Sequence, residues 1–191
     1  MIDLRLPTRL VSFVSVDVET TGLRPERDAI VEIGAVRVRE GRLAEEFSTL
    51  VYVDRTIPLE AQRVHRITNR MLVGAPRIGE AMGMLLQFAG DDPLVEHSWK
   101  AFDIAFLEQA LGRRLENPCV NTCTLSRKVF PFHRKHSLEE CCRRHGIRQV
   151  EQHRALPDAR ATGQLLVCLL EVCAVRYPRL EDLVRIAGVE R

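Results

Sequence analysis

A chain of 191 residues with 46% hydrophobic content can bury one core and is too short for two ordinary domains, so residues 1–191 are expected to form a single domain with its core over about 11–177. The net charge of +2 and a pI near 8.3 suit a nucleic-acid enzyme and many unrelated proteins equally. No run of about 18 apolar residues is present, and the opening segment with Asp3, Arg5 and Arg9 does not read as a signal peptide, which excludes a membrane span and an export route.

In chain order, residues 12–18 alternate small and apolar side chains, 29–39 are rich in Val and Ile, and 45–53 continue the pattern, which predicts three strands. Gly41 punctuates the second and third, and the connections are too short for crossover helices, so an antiparallel meander is expected. From Pro58 onward helical spacing dominates. Ile78, Met82, Leu85, Leu86 and Ala89 mark one apolar face, and Ile104, Phe106, Leu107, Ala110 and Leu111 mark another. Residues 93–96 and 118–122 are short strand candidates. Over 137–144, Ser137 and Glu140 form a capping-box start and Gly146 a stop. A last strong helix runs from Asp158 through Thr162, Leu165, Leu166, Leu169, Leu170 and Cys173 and ends before Pro178. Three strands followed by alternating helix and strand imply an α/β fold: a mixed five-stranded sheet, antiparallel on one side and parallel on the other, with helices packed on it.

From Arg127 to Arg148 seven Lys or Arg stand against two Glu, with His133, His136 and His145 interleaved, a patch that is either a solvated helix face or a surface for phosphates. The six cysteines read as cytosolic thiols and the chain as cytoplasmic. Cys119, Cys123, His133 and His136 are spaced off the usual zinc-finger pattern, which argues against zinc.

The chemistry-bearing residues are Asp17, Glu19, Asp103, His153 and Asp158. Side chains alternate along a strand, so Asp17 and Glu19 point to one side of the sheet. Two like charges held so close on a sheet core are costly without a cation, and oxygen ligands suit Mg2+ or Mn2+ better than zinc. A strand ending in solvated acids before a turn is the plainer alternative. After them Thr20, Thr21 and Gly22 turn the chain with exposed backbone groups. Asp103 opens the helix that runs to Leu111, where an N-cap is the ordinary role of an Asp. His153 and Asp158 flank Pro157 on a loop entering the last helix, which separates a fixed carboxylate from an imidazole able to reach a water. Trp99, the only tryptophan, is expected to pack half-buried, with stacking on a base as the alternative.

Three segments, Asp17-Val18-Glu19-Thr20-Thr21-Gly22, Phe102-Asp103 and His153-Arg154-Ala155-Leu156-Pro157-Asp158-Ala159, resemble the three motifs of the DEDDh 3′-to-5′ exonucleases, among them the proofreading epsilon subunits of bacterial replicative polymerases. Val64 to Thr68, Asn121-Thr122 and Ser137-Leu138 also fall where that family has typical segments. The resemblance implies an RNase H-like fold holding two divalent cations, Mg2+ or Mn2+, with Asp17 bridging both. Glu19, Asp158 and Asp103 would be the other ligands. His153 would deprotonate the attacking water, and the ions would flank the attacking and leaving oxygens. It further implies that Thr20, Thr21, Gly22, Leu23, His65 and Phe102 hold the terminal nucleotide of a single strand.

The chain departs from the pattern at three places. One extra residue lies between His97-Ser98 and Asp103, Arg66 stands where a glycine is typical, and Asn121 stands where an Asp is common. The resemblance favours the 3′ end of DNA as substrate, in proofreading or repair, with a DNA polymerase subunit as a possible partner. The alternatives are a 3′-to-5′ exoribonuclease or oligoribonuclease using the same residues, and a non-catalytic polymerase-associated binding module. Only Pro178 to Arg191 follows the last strong helix, so no long polymerase-tethering tail is expected.

Overall fold

The computed structural model describes residues 2–189. Its sheet is built from β1 (Phe13–Thr20), β2 (Ile30–Arg39), β3 (Arg42–Leu50), β4 (Leu94–Glu96) and β5 (Cys119–Asn121), in the order β3-β2-β1-β4-β5. The first three pair antiparallel, while β4 and β5 run parallel to β1, the mixed arrangement that the order of elements predicts. Seven helices accompany it among the described residues: α1 (Leu59–His65), α2 (Ile78–Ala89), α3 (Phe102–Leu111), α4 (Thr122–Val129), α5 (Leu138–His145), α6 (Ala155–Cys173) and α7 (Leu180–Ala187).

Strand alternation sorts the two faces. Val14, Val16 and Val18 of β1 join Ile33 and Ala35 of β2 against Met82, Leu85, Ile104 and Leu107 of α2 and α3. Phe13 of β1, on the opposite face, packs with Val38, Val95 and Val120 against Leu165, Leu166 and Leu169 of α6. Asp17 and Glu19 share the parity of Phe13 and Ser15, so they lie on the α6 side. Ser15 marks that contact: its Oγ is 2.8 Å from the Ala159 carbonyl of α6 and 3.1 Å from the Val36 carbonyl.

Gly34 sets how closely α6 can approach. A Cβ at this position would lie 2.3 Å from the Ala155 carbonyl carbon and 2.3 Å from the Leu156 nitrogen, so only hydrogen fits between β2 and the first turn of the helix. Gly34 is the register partner of Asp17, which brings the start of α6 beside the acids.

Some elements differ from the sequence expectation. α6 begins at Ala155 rather than Asp158, because Pro157 is tolerated in a first turn where its nitrogen has no helical acceptor. In α5, Ser137 Oγ accepts from the Glu140 nitrogen, but the Glu140 carboxylate pairs with Arg143 instead of closing the box. α7 lies beyond the last predicted helix, and the segment after it covers the β5 edge: Val189 N donates to the Cys119 carbonyl at 3.1 Å. No helix among the described residues is long and apolar enough to cross a membrane.

Candidate active site

β1 delivers Asp17 and Glu19, and the first turn of α6 delivers Asp158. Carboxylate oxygens of these three residues all lie within 4.8 Å of one another. Asp103, on α3, is 3% exposed and is not one of those three, but it adjoins them, accepting a hydrogen bond from the Val18 nitrogen at 3.1 Å. The expected N-cap role of Asp103 is thereby corrected. Glu96, at the end of β4, caps the helix instead, its Oε2 accepting from the Asp103 and Ile104 nitrogens at 3.1 and 3.3 Å. Freed from capping, the Asp103 carboxylate turns toward β1.

Glu96 is itself fully buried, and the Asn121 amide donates to its Oε1 at 2.7 Å and to the Ser98 carbonyl at 3.0 Å. A carboxylate at 121 has no proton to offer at neutral pH and would repel Glu96. The departure at Asn121 is therefore matched to Glu96. Asn121 Oδ1 also caps α4 by accepting from the Thr124 nitrogen.

The electrostatics of the group follow from burial and crowding. Asp17 is held well above the usual carboxylate range by burial and then by repulsion from Asp103, Glu19 and Asp158. Glu19 is pushed up to about 8 by burial, then by Asp158 and Glu32, with Arg154 pulling the other way. Burial and the neighbouring Glu96 raise Asp103, and burial raises Asp158 against the hydrogen bond it accepts from His153. Oxygen donors that resist ionising together, with one guanidinium nearby, fit hard divalent cations.

His153 is exposed, on the loop before α6, and its backbone is left-handed at φ +62°. Its nitrogen donates to Asp158 Oδ2 at 2.9 Å, so one carboxylate faces the acid group and also ties down the imidazole-bearing loop. That loop is fixed from the other side by Glu32, which sequence reasoning missed. Glu32 is 3% exposed on β2, opposite Glu19, and accepts from Arg154 Nη2 at 2.6 Å, Arg154 Nε at 3.0 Å and the Ala155 nitrogen at 2.9 Å. A lone acid in an apolar strand was the available signal, together with the arginine beside His153.

The other residues expected to hold a nucleotide are placed as follows. Thr20 and Thr21 are buried, and their hydroxyls are engaged within the turn: Thr20 donates to the Gly22 carbonyl and Thr21 accepts from the Ala29 nitrogen at 3.0 Å. Leu23 is 81% exposed. His65 is buried, its Nδ1 accepting from the Ile67 nitrogen at 3.0 Å, while its Nε2 has the Thr20 backbone for a neighbour and no well-formed hydrogen bond. Arg66 caps α1 in a left-handed conformation, φ +62°, which accounts for the glycine typical there. Phe102 is half-buried against Phe106 and its nitrogen donates to Ser98 Oγ at 2.7 Å.

Trp99 corrects another expectation: it is 65% exposed rather than half-buried in packing, with the Arg127 guanidinium 3.9 Å from its ring centroid. The cysteines are free thiols; Cys119 donates to the Asn117 carbonyl and Cys123 to the His136 carbonyl.

Comparison with known proteins gives a consistent picture. The family model RNase_T, described as an exonuclease, matches residues 14–166. The DNA polymerase III subunit epsilon of Aquifex aeolicus (strain VF5) is 39% identical over 170 residues, covering 87% of this chain and 84% of that protein. A PolC-type DNA polymerase III from Clostridium perfringens (strain 13 / Type A) is 36% identical over 157 residues, 81% of this chain but only 11% of that much longer protein. Among solved structures, exonuclease X in complex with 5′ overhanging duplex DNA superposes with a TM-score of 0.75 at 26% identity, covering 91% of this chain and 98% of that one.

Proposed function

The chain belongs to the exonuclease family, and on that premise we propose that it hydrolyses phosphodiester bonds at the 3′ end of a DNA strand, releasing nucleoside 5′-monophosphates in proofreading or repair. The observation that carries this reading is the convergence of Asp17, Glu19 and Asp158 within 4.8 Å, with Asp103 bonded to the intervening Val18 nitrogen. Those four carboxylates would hold two divalent ions, Mg2+ or Mn2+. Bound there, the ions supply positive charge to the phosphate oxygens and make a water more acidic.

The remaining work falls to the chain. An imidazole nitrogen of His153 takes the proton of the attacking water, and its exposed loop lets the ring reach the bond while Asp158 anchors its backbone. The water oxygen bonds to phosphorus and the bond from phosphorus to the 3′ oxygen of the penultimate nucleotide breaks. The phosphate thus leaves on the terminal nucleoside as its 5′-monophosphate. Phe102 and the turn over residues 20–23 flank the acids and would seat that nucleoside, with His65 beneath Thr20.

A digestion series with 5′-labelled single-stranded DNA, duplex DNA with mismatched ends and RNA tests the reading. A Mg2+-dependent ladder shortening from the 3′ end, fastest on DNA, is expected. Shortening from the 5′ end, or turnover indifferent to chelation, would overturn the assignment; a preference for RNA would move it to the ribonuclease alternative.

A further inference from the structure

Outside the acid centre lies a groove of about 670 Å³ whose charge is the opposite of the carboxylate cluster. Lys100, Lys128, Arg176, Tyr177 and Arg185 line it, brought together from the loop before α3, from α4, from the turn between α6 and α7 and from α7. No carboxylate is among its described lining residues. Arg185 pairs with Asp182 at 3.1 Å, but at 74% exposure of its side chain that contact is a weak, solvent-screened one. The groove and the acid centre share a wall. Lys100 and Ala101 directly precede Phe102 and Asp103, and Asn121, on the same lining, holds both Glu96 and the Ser98 carbonyl.

Trp99 adds a second kind of contact beside Lys100. Arg127 lies over the Trp99 ring, and the residue is still 65% exposed, enough indole surface for a flat partner. Rows of cations recognise evenly spaced phosphates, and an exposed indole recognises an unpaired base. A base inside a duplex is already stacked on both sides, which favours a single strand.

We propose that this basic groove, with Trp99 next to it, is a second nucleic-acid site that holds the phosphates of a single strand behind its 3′ end. The assignment rests on the exonuclease reading for the identity of the strand. Its function is to retain substrate between successive cleavages, since each removal shortens the end in the acid centre while the upstream phosphates stay engaged.

The test compares the native protein with a Lys128→Ala, Arg176→Ala double variant and with Trp99→Ala. Binding to long single-stranded oligo-dT is read by fluorescence anisotropy without divalent ions. Hydrolysis is read in parallel on long oligo-dT and on the p-nitrophenyl ester of thymidine 5′-monophosphate, too small to reach the groove. The double variant should bind long oligo-dT about 10-fold more weakly, with the slope of log affinity against log salt reduced by about 0.7 for each cation removed. Trp99→Ala should weaken binding by about 10-fold with the slope unchanged. Both variants should hydrolyse the small ester like the native protein while KM for long oligo-dT rises. Unchanged binding and unchanged salt slope would overturn the proposal, as would equal losses on ester and oligonucleotide. Loss of hydrolysis by the native protein on every substrate would instead sink the exonuclease reading, and the binding arm would still judge the groove.

Discussion

Asp17, proposed above as a metal ligand, is expensive to fold around. Its half-buried carboxylate is repelled by Asp103, Glu19, Asp158 and Glu32, so Asp17→Ala should abolish hydrolysis while leaving the melting temperature of the metal-free protein equal or higher. Circular-dichroism melts beside the digestion assay check both halves, and a large drop in melting temperature would contradict the repulsive picture. Glu19 adds a pH dependence with a definite sign. An acid whose folded value is raised to about 8 keeps its proton longer in the folded state, so stability present at low pH is lost as pH climbs through about 8. Mg2+ should accordingly raise the melting temperature more above that pH than below it. His153→Ala should lower turnover by about 10² to 10⁴ through loss of the proton acceptor, with the fold unaffected because the residue is exposed. The pairing of Asp17 with Glu19 was legible because strand alternation is a local rule. Glu32 and Glu96 were not, since each is defined by partners far along the chain, Arg154 for one and Asn121 for the other.

α6 is the element on which the site turns, because its first turn sits against β2 with no clearance at Gly34 and is pinned there by Glu32. Glu32 is buried but Arg154 is 32% exposed and can rehydrate, so Glu32→Gln should destabilise the protein by about 2 kcal/mol, mainly through its weakened hydrogen bonds to Arg154 and the Ala155 nitrogen, and loosen the loop that carries His153. Urea titration measures the first effect and the rate of hydrolysis the second. Gly34→Ala should push the start of α6 away from β1 and lower activity further than it lowers stability, a split that a purely structural glycine would not produce. The legibility of helices followed their punctuation. α2 and α3 carried apolar stripes, and α5 carried Ser137 and Gly146 at its ends. α4 was not legible: the strand candidate over 118–122 took in only its first residue, Thr122, because its polar, threonine-bearing start continues β5 without a break. α7 is short and follows a proline, and its apolar side, Leu180, Leu183 and Ala187, becomes evident once packed with α6 and β5.

At the scale of the whole molecule, the mixed sheet, antiparallel on one side and parallel on the other, was implied by three strands in quick succession followed by alternation. What sequence could not supply was the polar core behind β4 and β5. His97 lies there, half-buried, with Nδ1 2.8 Å from Thr122 Oγ1 and Nε2 2.9 Å from the His136 carbonyl, and desolvation lowers its pKa to about 4. A base whose folded value is lowered contributes stability that is present above the unfolded value of 6.5 and is lost as pH falls toward 4. That gap corresponds to about 3 kcal/mol. Denaturation at pH 7 and pH 4.5 should show native protein losing more stability than His97→Gln over this interval; equal losses would remove His97 as the cause. The register of α6 against Gly34 has one more consequence, for biogenesis. Asp158 and His153 leave the ribosome long after Asp17 and Glu19, so a nascent or prematurely ended chain lacks both the last of the proposed metal ligands and the proposed proton acceptor. Under the proposed mechanism hydrolytic competence then waits until α6 docks against Gly34, and an unfinished copy is expected to be inert toward nucleic acid.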